Sequence, residues 1–346
     1  MKVDLVGKDN ADIKDDFIQQ VPTGKGPPDI AMGAHDWLGE LSTNASSPPR
    51  SSSATPPPTT SRSRSTPRPT RARPTCSPYA VENIAVLRNA DLVPEPAANF
   101  DDMIAKGTAA GLTQPSSSSR APRATRTTST RSRPPSALPS SARRPGYDPA
   151  DLQIGNAGGE QFAQWLSGQG KNGTGVFNTD IDGDIAKDSF LTGKSAFWLT
   201  GPWNVGAAVD AGINVAIDPV PSPTADPASP FAGVKGFFIS AESKNKVAAN
   251  DFLVNYLGTE DVQLELFKAG NVLPALSAAA ETASADPIIA GFAAVGDQAV
   301  PMPAIPAMGA VWQYWGIAQA EIINGADPPV ATWQKLTSDV QAAISK

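Results

Sequence analysis

One histidine, His35, one cysteine, Cys76, and 34 carboxylates are the groups this chain can bring to chemistry. His35 precedes Asp36, which supplies two members of a Ser–His–Asp arrangement, but no GxSxG elbow presents a serine to them. A soft metal needs clustered Cys and His ligands, and one of each does not supply them. Asn178-Thr179-Asp180-Ile181-Asp182-Gly183-Asp184 imitates the opening of a calcium loop, yet the position that should hold its bidentate glutamate is Ser189. The acidic run is expected to cap a helix over Ile185–Leu191 instead. No GxxxxGK[ST] loop and no strand-linked GxGxxG occurs, so nucleotide chemistry lacks support. No metal and no cofactor is expected.

The tryptophans say more. Trp203 follows Gly201-Pro202 at a strand-to-helix turn, Trp37 follows Asp36 at a strand end, and Trp312 and Trp315 share a helix after the proline-rich Pro301–Pro306. Indoles at turns and helix starts, beside carboxylates, suit a carbohydrate cleft. Sugar C–H faces stack on the ring, while carboxylates accept from hydroxyls. Packing within a core or between lobes is the competing reading for each ring. Paired carboxylates such as Asp36 and Glu82 would also suit a glycosidase.

The elements that must position these residues follow from periodicity. Lys2–Val6, Asp29–Met32, Pro78–Pro94, Ser195–Leu199, Ile213–Val220 and Val234–Ser240 read as strands. Asp12–Gln20, Phe100–Gly111, Gly159–Leu166, Ile185–Leu191, Met308–Asn324 and Pro328–Ser345 read as helices. Ala249, Phe252, Leu253, Tyr256 and Leu257 fall on one helical face that Gly258 ends. Thr259 is expected to cap the next helix, and Gly270 to end it. Strands alternating with helices predict an α/β fold with mostly parallel sheets.

Two stretches break the pattern. Thirteen of the fourteen arginines lie in Ser42–Ser77 and Ser116–Pro145, which contain no Lys, Asp or Glu. The stretches carry +13 and the rest of the chain −19. They lack the apolar residues that offset chain entropy and are expected to be disordered. An Arg-rich nucleic-acid-binding tail is one reading, though no interleaved aromatic offers base stacking. Out-of-frame translation of a GC-rich gene also yields this Arg/Pro/Ser/Thr/Ala alphabet. Cys76 has no partner cysteine for a disulfide. No apolar run of about 18 residues spans a membrane, and MKVDLVGKDN contains no secretory h-region. The acidic body argues against a nucleic-acid partner.

Six segments, taken in order, resemble the maltose/maltodextrin-binding proteins, the family 1 extracellular solute-binding proteins of ABC importers. They are PPDIAMGAHDWLGEL (Pro27–Leu41), PYAVENIAVLRNADLVP (Pro78–Pro94), FLTGKSAFWLTGPWNV (Phe190–Val205), PFAGVKGFFIS (Pro230–Ser240), DFLVNYLGTED (Asp251–Asp261) and VPMPAIPAMGAVWQYWG (Val300–Gly316). The likeness covers roughly 280 residues, everything outside the two stretches. It implies a two-lobe, type II periplasmic-binding-protein-like α/β fold, with sugar bound between lobes that close about a hinge and no covalent chemistry. The first lobe would comprise 1–79 and 240–300, and the second 83–235 and 306–346. Hinge crossings would fall near 78–84, 231–238 and 300–306.

The resemblance also assigns roles. Asp36 would accept hydroxyl hydrogen bonds from the first lobe, and Glu82 would do so beside the hinge. Trp203 and Trp312 would be stacking platforms on the second lobe. His35 matches a neighbouring family histidine. Trp37 stands where the family's best-known member has arginine, offering a stacking contact for a polar one, and Gly33 stands where that member has a tryptophan. The family's first strand and helix, its signal, and a Glu and an aromatic replaced by the second Arg-rich stretch are expected to be missing. A truncated, frameshifted gene would account for all of these. The implied partners are an oligosaccharide, maltodextrin or trehalose-like, and the membrane permease subunits of an importer. The implied protein is a monomer held outside the cytoplasm, periplasmic or as a cell-surface lipoprotein.

Overall fold

In the computed structural model, which describes residues 2–8, 10–23, 27–44, 76–112, 152–222, 228–305 and 307–345, the chain builds two sheets joined edge to end. The first holds β1 (Ile30–Ala34), β2 (Cys76–Asn83), β6 (Phe231–Ile239), β7 (Leu273–Pro274) and β8 (Val300–Pro301). Its order is β1-β6-β2-β7, with β8 also on β6. The second sets β3 (Ala85–Asn89) between β4 (Phe197–Thr200) and β5 (Val215–Asp218). Among the described residues only β6–β8 is parallel, and the other ladders are antiparallel. The expectation of mostly parallel sheets is therefore corrected. Helical crossovers do link parallel strands, as the helix Val205–Asp210 links β4 to β5, but an antiparallel strand from a distant part of the chain is inserted between them, so directly paired neighbours are mostly antiparallel.

Residues 2–8 are exposed and irregular rather than a strand over Lys2–Val6, because an alternating pattern without a partner edge has no ladder to join. Ser42–Asn44 belongs to α2 (Trp37–Asn44), and Cys76 and Ser77 to β2. The rest of the first Arg-rich stretch and all of the second lie outside the described residues.

Amphipathic helices cover the first sheet. From α1 (Asn10–Thr23) and α2, Phe17, Val21 and Leu41 meet Ala31 of β1 and Phe238 of β6. The second sheet buries Ile84, Val86, Phe197 and Leu199 against Phe100 and Met103 of α3 (Phe100–Ala109), a helix capped by the Asn99 side chain. α4 (Ala157–Gln169), α11 (Met308–Ile323) and α12 (Pro329–Ile344) share a third core around Phe162, Trp315, Ile322 and Trp333. α5 (Gly183–Leu191) is capped as expected, since Asp182 Oδ1 accepts from the amides of Asp184 and Ile185. Ser189 turns its hydroxyl to the carbonyl of Ile185, one helical turn back.

Further along, α6 (Val205–Asp210) follows a 3₁₀ turn at Pro202–Asn204. α7 (Lys246–Phe252) runs into one π turn over Leu253–Leu257. α8 (Glu260–Gly270) starts after Thr259, whose hydroxyl bonds the carbonyl of Tyr256 rather than capping the helix. Gly270 lies inside α8, and Asn271 makes the left-handed exit at φ 51°. Among the described helices, α2, α9 (Ser277–Ala283) and α10 (Pro287–Gly296) escape the periodicity reading. α10 packs against β2, β7 and β5, and its Phe292 and Val295 join Ala85, Leu87, Phe190 and Trp198 in the core beneath the second sheet.

The two sheets are joined where β2 becomes β3, with only the fully buried Ile84 between them. A buried ion pair fixes the far side of that join. Arg88 of β3 donates from Nε to Asp218 of β5 at 2.6 Å and from Nη2 to its other oxygen at 3.2 Å, while Nη1 donates to the carbonyls of both Val93 and Pro94.

Cys76 opens β2 opposite Phe238, and its sulfur occupies the space a side chain at Gly236 would need. Burial pushes this thiol up from the ordinary 9.0 to about 11. The folded state therefore keeps its proton where the unfolded chain loses it, so stability falls as pH rises from 9.0 towards about 11. At pH 8, Ellman's reagent should label Cys76 at least about tenfold more slowly in the folded protein than in urea, since the thiolate is the nucleophile. Equal rates would contradict this placement.

Candidate functional site

Four consecutive residues at the start of β6 gather most of the candidate residues. Phe231 carries the indole of Trp312 edge-on, with ring centroids 6.3 Å apart at 72°. Phe231 and Ala232 pair with β8, and the carbonyl of Ala232 accepts from the amide of Met302 at 3.0 Å. Gly233 faces Glu82 of β2, which is 6% exposed. Val234 receives His35 of the β1–α2 turn, the residue before Asp36. Met302, Met308 and Phe231 close a small apolar cluster beside Trp312.

His35 uses its whole polar inventory here. Its amide donates to the carbonyl of Val234 at 2.9 Å, and the amide of Val234 donates to Nδ1 at 3.0 Å. Nδ1 is thus an acceptor, the ring proton sits on Nε2, and Nε2 donates to the carbonyl of Met302 at 2.9 Å. Both nitrogens are committed to backbone, which leaves no lone pair for a general base and no place for a Ser–His–Asp relay.

Trp203 enters from the second sheet. Thr200 of β4 pairs with Ala85 of β3, three residues beyond Glu82, and Trp203 follows three residues after Thr200. Its indole folds back over Gly201 and is 39% exposed. Asp36, Glu82, Trp312 and Trp203 thus lie within a few residues of the line where the chain passes between sheets. Trp37 is turned the other way. Its ring covers Gly33 and stacks on Phe238, with centroids 6.5 Å apart at 16°, among the residues that pack α1 and α2 on the first sheet.

Near Glu82, Tyr79 lies on Phe237 and donates to the sulfur of Met32 at 3.4 Å. Burial, and then the Glu82 carboxylate, push its phenol up to about 12. Among the described residues no group of three or more His, Cys, Asp or Glu side chains is placed to hold a metal. A shallow depression lined by Ser243–Ala248 and Asp251 lies near Asp29, at the other end of β1.

The family model of bacterial extracellular solute-binding proteins matches residues 1–291. The chain belongs to that family. Members are solute-binding receptors rather than enzymes, which removes the glycosidase reading of Asp36 and Glu82. A maltotriose-binding protein of Pyrococcus abyssi is 25% identical over 99% of this chain and 76% of its own length. A galactooligosaccharide-binding protein of Bacillus subtilis is 32% identical over 54% of this chain and 45% of its own length. Among solved structures, the Thermus thermophilus maltotriose binding protein bound with maltotriose superposes with a TM-score of 0.76 at 24% identity, covering 99% of this chain and 92% of that one. The fold is the two-lobe type II solute-binding fold. No described helix is long and apolar enough to cross a membrane.

What the sequence did not reveal in this solute-binding protein is the bond from His35 to Met302. No periodicity links residues 267 positions apart. The Gly33–Trp37 packing had a trace, a glycine four residues before a large ring. A Cβ at Gly33 would lie 2.0 Å from Trp37 Cζ3. Gly33→Ala should therefore swing the indole off Phe238 and lower stability by about 1–3 kcal/mol. Gly33→Ala combined with Trp37→Ala should cost less than the sum of the single changes. Additive losses in thermal melts would show that the two positions do not share this space.

Proposed function

We propose that this solute-binding protein is the receptor of an ABC importer for maltodextrin-type α-glucosides. The observation that carries the reading is the convergence of Asp36, Glu82 and Trp312 on Phe231–Val234, with Trp203 at the adjoining end of the second sheet. Carboxylates that accept from hydroxyls and indoles that stack on pyranose faces are the two halves of sugar recognition. Here they are contributed from opposite sides of the chain crossings. Asp36 and Glu82 are assigned to hydroxyls, and Trp312 and Trp203 to ring faces. Trp37 keeps Asp36 in place through its packing and adds a stacking surface only at its edge. Relatives named for maltotriose and galactooligosaccharide binding point to the same ligand class.

In this reading the lobes are 1–79 with 240–300 and 83–235 with 306–346, and the strands crossing at 78–84, 231–238 and 300–306 form the hinge. α10 touches both sheets and moves against one of them on closure. Sugar held by both lobes favours the closed arrangement, because only that arrangement completes its contacts. The permease subunits then read the closed monomer, outside the cytoplasm, whether it is periplasmic or a surface lipoprotein.

Calorimetric titration with maltotriose should give one saturable site. Trp312→Ala and Asp36→Ala should each weaken it by at least about tenfold, the scale of a central contact in a binding site. A chromogenic α-glucoside should release no product. Absence of saturable binding, or variants that bind like the parent, would overturn the assignment.

A further inference from the structure

The edge of β6 is shared by two short strands with a gap between them. β1 pairs with it from Ile239 back to Lys235, and β8 pairs with Phe231 and Ala232. At the gap, Val234 presents a backbone N–H that neither strand satisfies, and on the β8 side the ladder ends where the Met302 amide donates to Ala232, leaving the Met302 carbonyl to be paired. The His35 imidazole fills this break. It accepts from the amide of Val234 and donates to the carbonyl of Met302, so one ring joins the end of β1 to the segment leaving β8.

The two things it joins are the two halves of the candidate site. On one side of the ring is Asp36, the next residue in the chain. On the other is Met302, which is 4% exposed and packs with Phe231 and Met308 beside Trp312. We infer that His35 is a positioning residue for ligand binding. Through its Nε2–Met302 bond it sets the spacing between the carboxylate in the β1–α2 turn and the Trp312 platform, without touching the sugar. This rests on the sugar-receptor reading for its ligand, but the splice itself does not.

The imidazole's two arms can be removed separately. In His35→Asn the side-chain oxygen can still accept from Val234, but the chain is too short to reach Met302. In His35→Gln the side-chain amide can reach Met302 and donate. Maltotriose affinity should fall about three- to tenfold in His35→Asn, the effect of one net hydrogen bond, and stay within about twofold of the parent in His35→Gln. Amide exchange at Met302, measured without sugar, should be faster in His35→Asn and not in His35→Gln. Asn and Gln variants that lose affinity alike, or an Asn variant that binds and exchanges like the parent, would overturn the inference. Should the parent itself fail to bind maltotriose, the ligand assignment falls, and the exchange comparison alone decides whether His35 splices the strands.

Discussion

A four-residue stretch of backbone, Phe231–Val234, supplies hydrogen-bonding edges to three segments distant in sequence. β2 lies along one side, and β8 and the β1–α2 turn share the other. Buried N–H and C=O groups must be paired, so each of these segments is held in register wherever it crosses. The crossing line is consequently held in register from both sides. A residue placed within a few positions of it inherits that precision, which is where a recognition site gains most from a rigid scaffold.

For the proposed binding site, the consequence is a division of labour. The carboxylates, Asp36 and Glu82, stand on elements of the first sheet. Trp203 follows a strand of the second, and Trp312 stands on a helix whose core residues pack with α4 and α12. In the proposed receptor, polar and stacking contacts therefore come from bodies joined through the crossings and through α10. A ligand that needs both kinds of contact stabilises one relative placement of those bodies over others, and differential affinity of this kind is all that a closing receptor requires. The buried Arg88–Asp218 pair braces the second sheet, and α10 packs across both sheets beside the join.

Much of this was legible in the sequence, for reasons visible at particular residues. Asp182 reads as a cap rather than a calcium ligand because Ser189 cannot close the loop, and it does cap α5. Amphipathic spacing placed α3, α4, α11 and α12 to within a few residues. α10 was missed even though Asp286 and Pro287 are a cap and a first-turn proline, because its residues are apolar on nearly every side and show no stripe. Strand direction was misread because alternation identifies a strand but not its neighbour. The placement of His35 was out of reach, since its meaning lies in a gap between the two ladders that share one edge of β6. Trp37 shows the limit for aromatics. Residue type and a neighbouring aspartate suggested a sugar platform but did not indicate that the ring also covers Gly33.

The most direct measurement is scanning calorimetry of this chain with and without millimolar maltotriose. If the crossing line assembles into a sugar cleft, the protein melts in a cooperative transition that moves upward with ligand concentration, because sugar binds only the folded form. A cooperative transition indifferent to maltotriose, while other oligosaccharides of the same class also leave it unmoved, would contradict the receptor assignment. A chain with no cooperative transition at all would contradict the claim that these crossings hold the two sheets together.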